Sequence, residues 1–291
     1  MSHNYTLRLC GYTFAVALTR RDFLRLSTVA SVGALTGAAA YGIAYERHQI
    51  DLVTREIAVR GLPPALEGLR VGMITDVHHS SVVPADDIAR AVSRLKEAAP
   101  DIIVLGGDYV SFFDRRYAAP VAELLAPLAG APHGSFAVLG NHDDEREVPA
   151  TLVARGFTVL KDQRTALTLR GERLDIAGIR FWTKTPANLA AVLKGTGGTT
   201  ILLAHDPRRL TEAAALDVQL VLSGHTHGGQ VVVPAVGAIA GRKFPVLAGF
   251  ATRDNTSLFV SRGVGTVYVP LRINCPPDVA VLTLRAAAPA A

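Results

Sequence analysis

The sequence predicts an α/β protein in which two β-sheets pack face to face with helices on their outer sides, an α/β/β/α sandwich. Three observations carry this expectation. Short apolar runs alternate with amphipathic stretches through the first half of the chain. The last third reads mostly as strand. Successive apolar runs stop at short loops that carry Asp, Asn or His.

Taken in order, residues 70–75 form a short apolar run that ends at Asp76. Residues 85–99 place Ile88, Ala91, Val92 and Leu95 at helical spacing, between Pro84 and Pro100. Residues 101–105 form a second buried strand that stops at Gly106-Gly107-Asp108. The three together make a βαβ unit, which implies parallel strands and a right-handed crossover. Residues 120–129 read as helix, and residues 135–139 as a third strand ending at Gly140-Asn141-His142. Further strands are expected at 173–181, 200–204, 218–223, 231–234, 257–261, 266–269 and 279–284. No repeat or long linker interrupts the run, so residues 46–291 are expected to form one domain.

Residues 1–45 read differently. Thr19-Arg20-Arg21-Asp22-Phe23-Leu24-Arg25 is followed by an uncharged stretch to Tyr45, rich in Ala, Gly, Ser and Thr. Paired arginines before a weakly apolar segment are the layout of a twin-arginine (Tat) export signal. The expected location is therefore the periplasm or the outer face of the cytoplasmic membrane, with the Tat machinery as a partner. Ala38-Ala39-Ala40 offers a cleavage site, and cleavage is favoured over retention as an anchor. The net charge of +5 falls to +2 once the four arginines and one aspartate of this segment are set aside. No Lys/Arg run marks a nucleic-acid groove. Of the two cysteines, Cys10 lies in the targeting segment and Cys275 is expected to be a buried apolar residue, so no structural disulfide is expected.

The polar loop residues form an ordered series: Asp76-x-His78, Gly107-Asp108, Gly140-Asn141-His142, His205 and Gly224-His225-Thr226-His227-Gly228-Gly229. Loops at the carboxyl ends of strands in an open α/β sheet converge on one crevice. Singly, most of the motifs are ordinary: a Gly-Asp is often a turn, and a lone histidine is more often structural than a ligand; His225-Thr226-His227 between glycines is the sharpest, since a His-x-His at a strand end points both rings at one site. Together they supply seven oxygen and nitrogen donors, more than one ion needs and suited to Mn, Fe or Zn. Ion pairs of that kind stabilise both the attacking and the leaving oxygen in phosphoryl chemistry.

The order DVH, GGDYV, GNHDD, AHD and GHTHGGQ resembles the calcineurin-like metallophosphoesterase superfamily, from about Leu62 to the C-terminus. The late segment from Ser261 to Pro277 is similar to its envelope-directed YaeI/YkuE-like branch. The resemblance implies that Asp76, His78 and His227 hold one divalent metal, that Asn141, His205 and His225 hold a second, and that Asp108 bridges them. It implies that His142 contacts the phosphate as general acid or transition-state stabiliser, and that a metal-bridging hydroxide attacks phosphorus in line. Asp143 either orients His142 or is a simple turn acid. His79 is expected to face solvent, Asp206 to bring negative charge near the second metal, and Phe112-Phe113 to be core rather than a lipid or base site. Metal loading before export favours Mn or Fe over Zn. The expected activity is hydrolysis of a phosphodiester or pyrophosphate of an envelope substrate, such as a lipid headgroup or nucleotide-sugar lipid. A phosphomonoesterase and a non-catalytic metal-binding envelope protein are the alternatives.

Overall fold

The computed structural model describes residues 3–9 and 12–287, with side chains from Thr19 onward. Cys10 lies outside the described residues. β1 (His3–Leu9) pairs antiparallel with β2 (Tyr12–Leu18), and α1 (Arg20–Ala44) follows. Thr19 caps α1 reciprocally with Asp22, so the paired arginines sit in the first helical turn. In α1, eight large apolar or aromatic side chains from Phe23 to Ile43 are exposed, while Gly42 in its last turn is buried.

Beyond α1 the chain runs through β3 (Asp51–Val59), β4 (Arg70–Ile74), α2 (Ala85–Glu97), β5 (Ile102–Leu105), α3 (Ala118–Leu125), β6 (Ser135–Ala137), α4 (Glu147–Ala154) and β7 (Thr158–Val159). It continues through β8 (Gln163–Leu169), β9 (Glu172–Gly178), α5 (Pro186–Leu193), β10 (Thr199–Leu203), α6 (Leu210–Ala215) and β11 (Leu220–Ser223). The last strands are β12 (Val232–Val233), β13 (Gly237–Ala238), β14 (Gly249–Arg253), β15 (Thr256–Val260) and β16 (Asp278–Ala286).

Two six-stranded mixed sheets result. The first has the order β3-β16-β4-β5-β6-β7 and the second β14-β15-β11-β10-β9-β8. The βαβ unit is present, with β4 and β5 parallel. The strands that neighbour the metal-motif loops are buried on both faces, which is why they read as unbroken apolar runs. Period-two alternation then sorts their side chains. Ile103 and Leu105 join the layer under α2, α3 and α4, whereas Ile102 and Val104 join the layer between the sheets. Leu174, Ile176, Ile201, Leu203, Leu220 and Leu222 meet them from the second sheet, and α5 and α6 cover its outer face. The expected α/β/β/α layering is the observed one. Ile88, Ala91, Val92 and Leu95 are all buried along α2, each large side chain contributing about 1.5–3 kcal/mol.

Several local expectations change. Residues 266–269 are irregular, not strand, and the strand expected at 231–234 shrinks to Val232–Val233. β3, β8 and β14 lie near sheet edges, and their outward residues are polar or exposed, so no apolar run marks them. Phe112 and Phe113 are exposed, 56% and 52%, rather than core. His79 is buried rather than solvent-facing: Nδ1 donates to the Val83 carbonyl at 3.2 Å and its ring packs on Tyr117.

Candidate metal centre

The loops following β4, β5, β6, β10 and β11 meet at one edge of the sandwich. Asp76, His78 and His227 bring donor atoms within 4.8 Å of one another, and Asp108, His205 and His225 do the same. Asp108 Oδ2 stands between the groups, 3.5 Å from His78 Nε2 and 3.2 Å from His205 Nε2. His227 Nε2 is 3.3 Å from Asp76 Oδ1 and 3.2 Å from His78 Nε2.

The backbone is bent to achieve this. Asp76, His78, Asp108, His225 and His227 all adopt positive φ, between 50° and 71°. A non-glycine residue there costs roughly 1–3 kcal/mol, and such strain persists only where the surroundings enforce it. The enforcement is visible. Thr75 Oγ1 donates to Asp76 Oδ2 at 2.8 Å, and the His225 amide donates to both Asp76 oxygens at 3.0 Å. Gly140 and Gly263 lie so close to the Asp108 and Asp76 side chains that any Cβ would overlap them.

Asp143 holds backbone. Its carboxylate accepts from the amides of Asp108, Tyr109 and Gly140 at 2.7–2.8 Å, clamping the two neighbouring loops together. His142 is placed instead by the backbone: its amide donates to Asp108 Oδ1 at 2.8 Å, and its Nδ1 accepts from the Phe112 amide at 3.1 Å. An occupied Nδ1 leaves the ring proton of neutral His142 on Nε2. Asp206 is buried, but it is paired with Arg208 through both carboxylate oxygens, so its charge is spent there.

Electrostatics prepare the donors. Burial lowers His78 to about 4 and His225 to about 3, and it takes His227 well below the ordinary histidine range. Burial also lowers His142. These imidazoles are therefore neutral near pH 7, the form that ligates metals. His205 is the exception: burial acts against its charge, but the facing Asp108 and Asp76 carboxylates together raise it to about 10, so it must lose a proton to ligate a metal. Burial likewise opposes ionisation of Asp108, yet His205, then His78 and His142, hold it well below the usual carboxylate range. Asp76 is pushed up to about 6 by burial, and Asp143 to about 7 by burial and then by Asp108.

Two buried atoms here have no hydrogen-bond partner, Asn141 Oδ1 and His227 Nδ1, and His205 Nε2 faces only the Asp108 carboxylate. Buried polar atoms are rarely orphaned, and an amide oxygen and imidazole nitrogens are metal donors. His205 Nδ1 donates to the Gly106 carbonyl at 2.8 Å, which fixes the ring with Nε2 aimed inward. Two carboxylates, four imidazoles and one amide oxygen fit a pair of borderline divalent cations. Cys275, buried as expected, is not part of the donor set; its thiol donates to the His227 carbonyl at 3.3 Å.

Residues 69–229 match the model of the calcineurin-like phosphoesterase family. The chain belongs to that family. It is 30% identical over 281 residues to the uncharacterized metallophosphoesterase YkuE of Bacillus subtilis, covering 92% of this chain and 98% of that protein. It is 31% identical over 282 residues to the phosphodiesterase YaeI of Escherichia coli, covering 92% and 99%. An uncharacterized metallophosphoesterase of Aquifex aeolicus is 32% identical, covering 87% and 96%. The chain is thus a metallophosphoesterase with two His/Asp clusters arranged for a dinuclear site.

One participant was not singled out from the sequence. Arg272 is fully buried, and its guanidinium donates to the carbonyls of Arg262, Gly263, Gly265 and Cys275 at 2.6–3.0 Å. The loop it gathers lies against the ligand loops: Val264 and Gly265 donate to the Thr75 and Asp76 carbonyls at 3.1 and 2.7 Å. An arginine inside an otherwise apolar and small-residue segment was the available clue.

Proposed function

We propose that the protein hydrolyses a phosphodiester or pyrophosphate of the cell envelope, with Asp76, His78 and His227 holding one divalent cation, Asn141, His205 and His225 a second, and Asp108 shared. The observation that carries this is the position of Asp108 Oδ2 between both clusters. Bound cations supply Lewis-acid polarisation of the phosphoryl group and lower the pKa of water. The chain's own contribution is to hold seven donors in a strained, braced geometry and to set His142 beside them, its ring 5.0 Å from that of His78. His142 Nε2–H is the donor to a phosphoryl or leaving oxygen.

A diester is favoured over a monoester because the guanidinium groups beside the site are already engaged, while Lys184 and Lys243 lie over the Phe181 and Phe244 rings. Arg208 pairs with Asp206, Arg262 with Asp278, and Arg272 with carbonyls. No free guanidinium is left there, among the described residues, to clamp a second phosphate charge. The similarity to a protein named as a phosphodiesterase points the same way. The apolar helix α1 behind Arg20-Arg21 supports export by the Tat route, with residues 46–291 as the catalytic domain and Mn or Fe as the loaded metals.

The direct test is hydrolysis of bis-p-nitrophenyl phosphate by metal-stripped full-length protein during a Mn²⁺ titration. Metal-dependent turnover is expected. Two bound metals without turnover of any diester or monoester would favour a non-catalytic role. His142→Ala should lower kcat by about 10²–10³-fold while metal content by mass spectrometry stays unchanged; loss of metal from this variant would show that the histidine is a ligand. Chelation should lower the thermal midpoint by about 5–10 °C, because a ligand at a hundred times its Kd contributes about 2.7 kcal/mol and each kcal/mol moves a domain of this size by about 2–4 °C. Superimposable melts with EDTA and with saturating Mn²⁺ would contradict metal-linked stability.

A further inference from the structure

A cleft of about 440 Å³ opens near His142, walled by residues 80–82, by Ser111 and Phe112, by Asp114 and Tyr117, and by Thr266 and residues 268–270. His142 is the partition. Its ring lies 5.0 Å from His78 on the metal side and 5.0 Å from Phe112 on the cleft side, with Tyr268 at 6.3 Å. A ligand whose phosphate meets the metal loops therefore lays its adjoining group in the cleft. The rim is apolar and uncovered: Tyr268 is 80% exposed, and Val82, Phe112 and Val269 are exposed too. Phe112, Phe113 and Tyr268 are all held at positive φ, 52°, 60° and 63°. Large side chains seldom adopt that conformation, so the fold tolerates strain in order to present three aromatic rings outward.

A separate observation says what faces this rim. The apolar stretch of α1 is only 6% buried, so almost none of it is covered by protein. Its 25 residues extend roughly 37 Å at 1.5 Å each, enough to cross a hydrocarbon core of about 30 Å. The helix is rooted on the cleft walls. Gly42 packs on Leu271 and Ile273, the residues just past 266–270, and the Arg272 amide donates to its carbonyl at 3.4 Å. Arg47 Nη1 donates to the carbonyl of Val82, on the opposite wall, at 3.2 Å. Tyr41 and Tyr45, half-exposed with rings 5.2 Å apart, mark the root; aromatic rings of this kind collect at membrane–water interfaces.

We propose that α1 is retained as an anchor, against the cleavage expected from Ala38-Ala39-Ala40, and that the cleft takes the acyl or alkyl chain of an amphiphile drawn from the bilayer α1 occupies, with its phosphoester presented to the metal loops. This rests on the phosphoesterase reading above and specifies its substrate class. The bond changes are those of hydrolysis: a water oxygen bonds phosphorus, the P–O ester bond breaks, and the alcohol oxygen leaves with a proton.

The test uses the full chain held in amphipol with Mn²⁺ and a series of methyl, hexyl and dodecyl p-nitrophenyl phosphodiesters below their aggregation concentrations. Each buried methylene is worth up to about fourfold, so kcat/KM should rise at least tenfold from methyl to hexyl. In the double variant Tyr268→Ser/Val269→Ser, and separately in Val82→Ser, the hexyl-to-methyl ratio should fall below about threefold. These side chains are exposed, so melting curves should match wild type. A flat chain-length series in wild type, or a ratio unchanged in both variants, overturns the proposal. Turnover of bis-p-nitrophenyl phosphate alongside a flat series overturns the cleft assignment alone. Bound metal with no diester turnover overturns the phosphoesterase reading beneath it.

Discussion

Replacing Asp108 with alanine should abolish turnover, by at least about 10³-fold, and lower the bound metal below two per chain. The reason is the double use of one carboxylate. Oδ2 faces His78 and His205 from opposite clusters, while Oδ1 accepts the His142 amide at 2.8 Å. Alanine therefore removes the charge shared by both clusters and frees the loop that carries His142. Asp108→Asn separates these effects, because an amide oxygen can keep the bond to His142 while the shared negative charge is lost. Asparagine should rescue the fold but not the metal stoichiometry. Two metals retained in Asp108→Ala, with turnover within tenfold of wild type, would rule out a bridging role.

Replacing Arg272 with methionine should lower unfolding stability by about 3–5 kcal/mol, because hydrogen bonds to a buried charged group contribute about 1.5–3 kcal/mol each and several are lost together. Four carbonyls accept from this guanidinium, and its removal leaves them buried with fewer donors. The midpoint of thermal unfolding should drop by about 6–20 °C. Lysine should recover little, since an ammonium cannot reproduce the planar fork that reaches carbonyls of residues 262, 263, 265 and 275 together. The same loop donates to the Thr75 and Asp76 carbonyls, so metal affinity should weaken with stability. A denaturant melt showing a loss below about 1 kcal/mol would mean that water or backbone movement replaces the guanidinium.

The elements legible in the sequence were those buried on both faces. β4, β5, β10 and β11 read as unbroken apolar runs, and each stops where a polar loop begins. The edge elements β3, β8 and β14 carry polar or charged residues at their exposed positions, so composition did not mark them. Residues 266–269 mislead in the other direction: Thr-Val-Tyr-Val has strand chemistry, but these residues are bent around the cleft and pair with no strand. His79, Phe112 and Phe113 inverted their expected exposure for one reason. They follow ligands on positive-φ loops, where alternation no longer tells which side chain turns inward.

The sequence by itself determined the layered α/β class and the family, because burial on two faces and the donor order Asp, His, Asp, Asn, His, His, His are written in residue types and their spacing. Only the tertiary structure decided that Asp143 clamps backbone rather than His142, that Arg272 ties the late loop beneath the ligands, and that the root of α1 meets an open aromatic cleft. Each of these depends on contacts between residues distant in the chain. Such contacts follow from how strand-end loops are bent and braced against one another, and residue type and local spacing do not encode that.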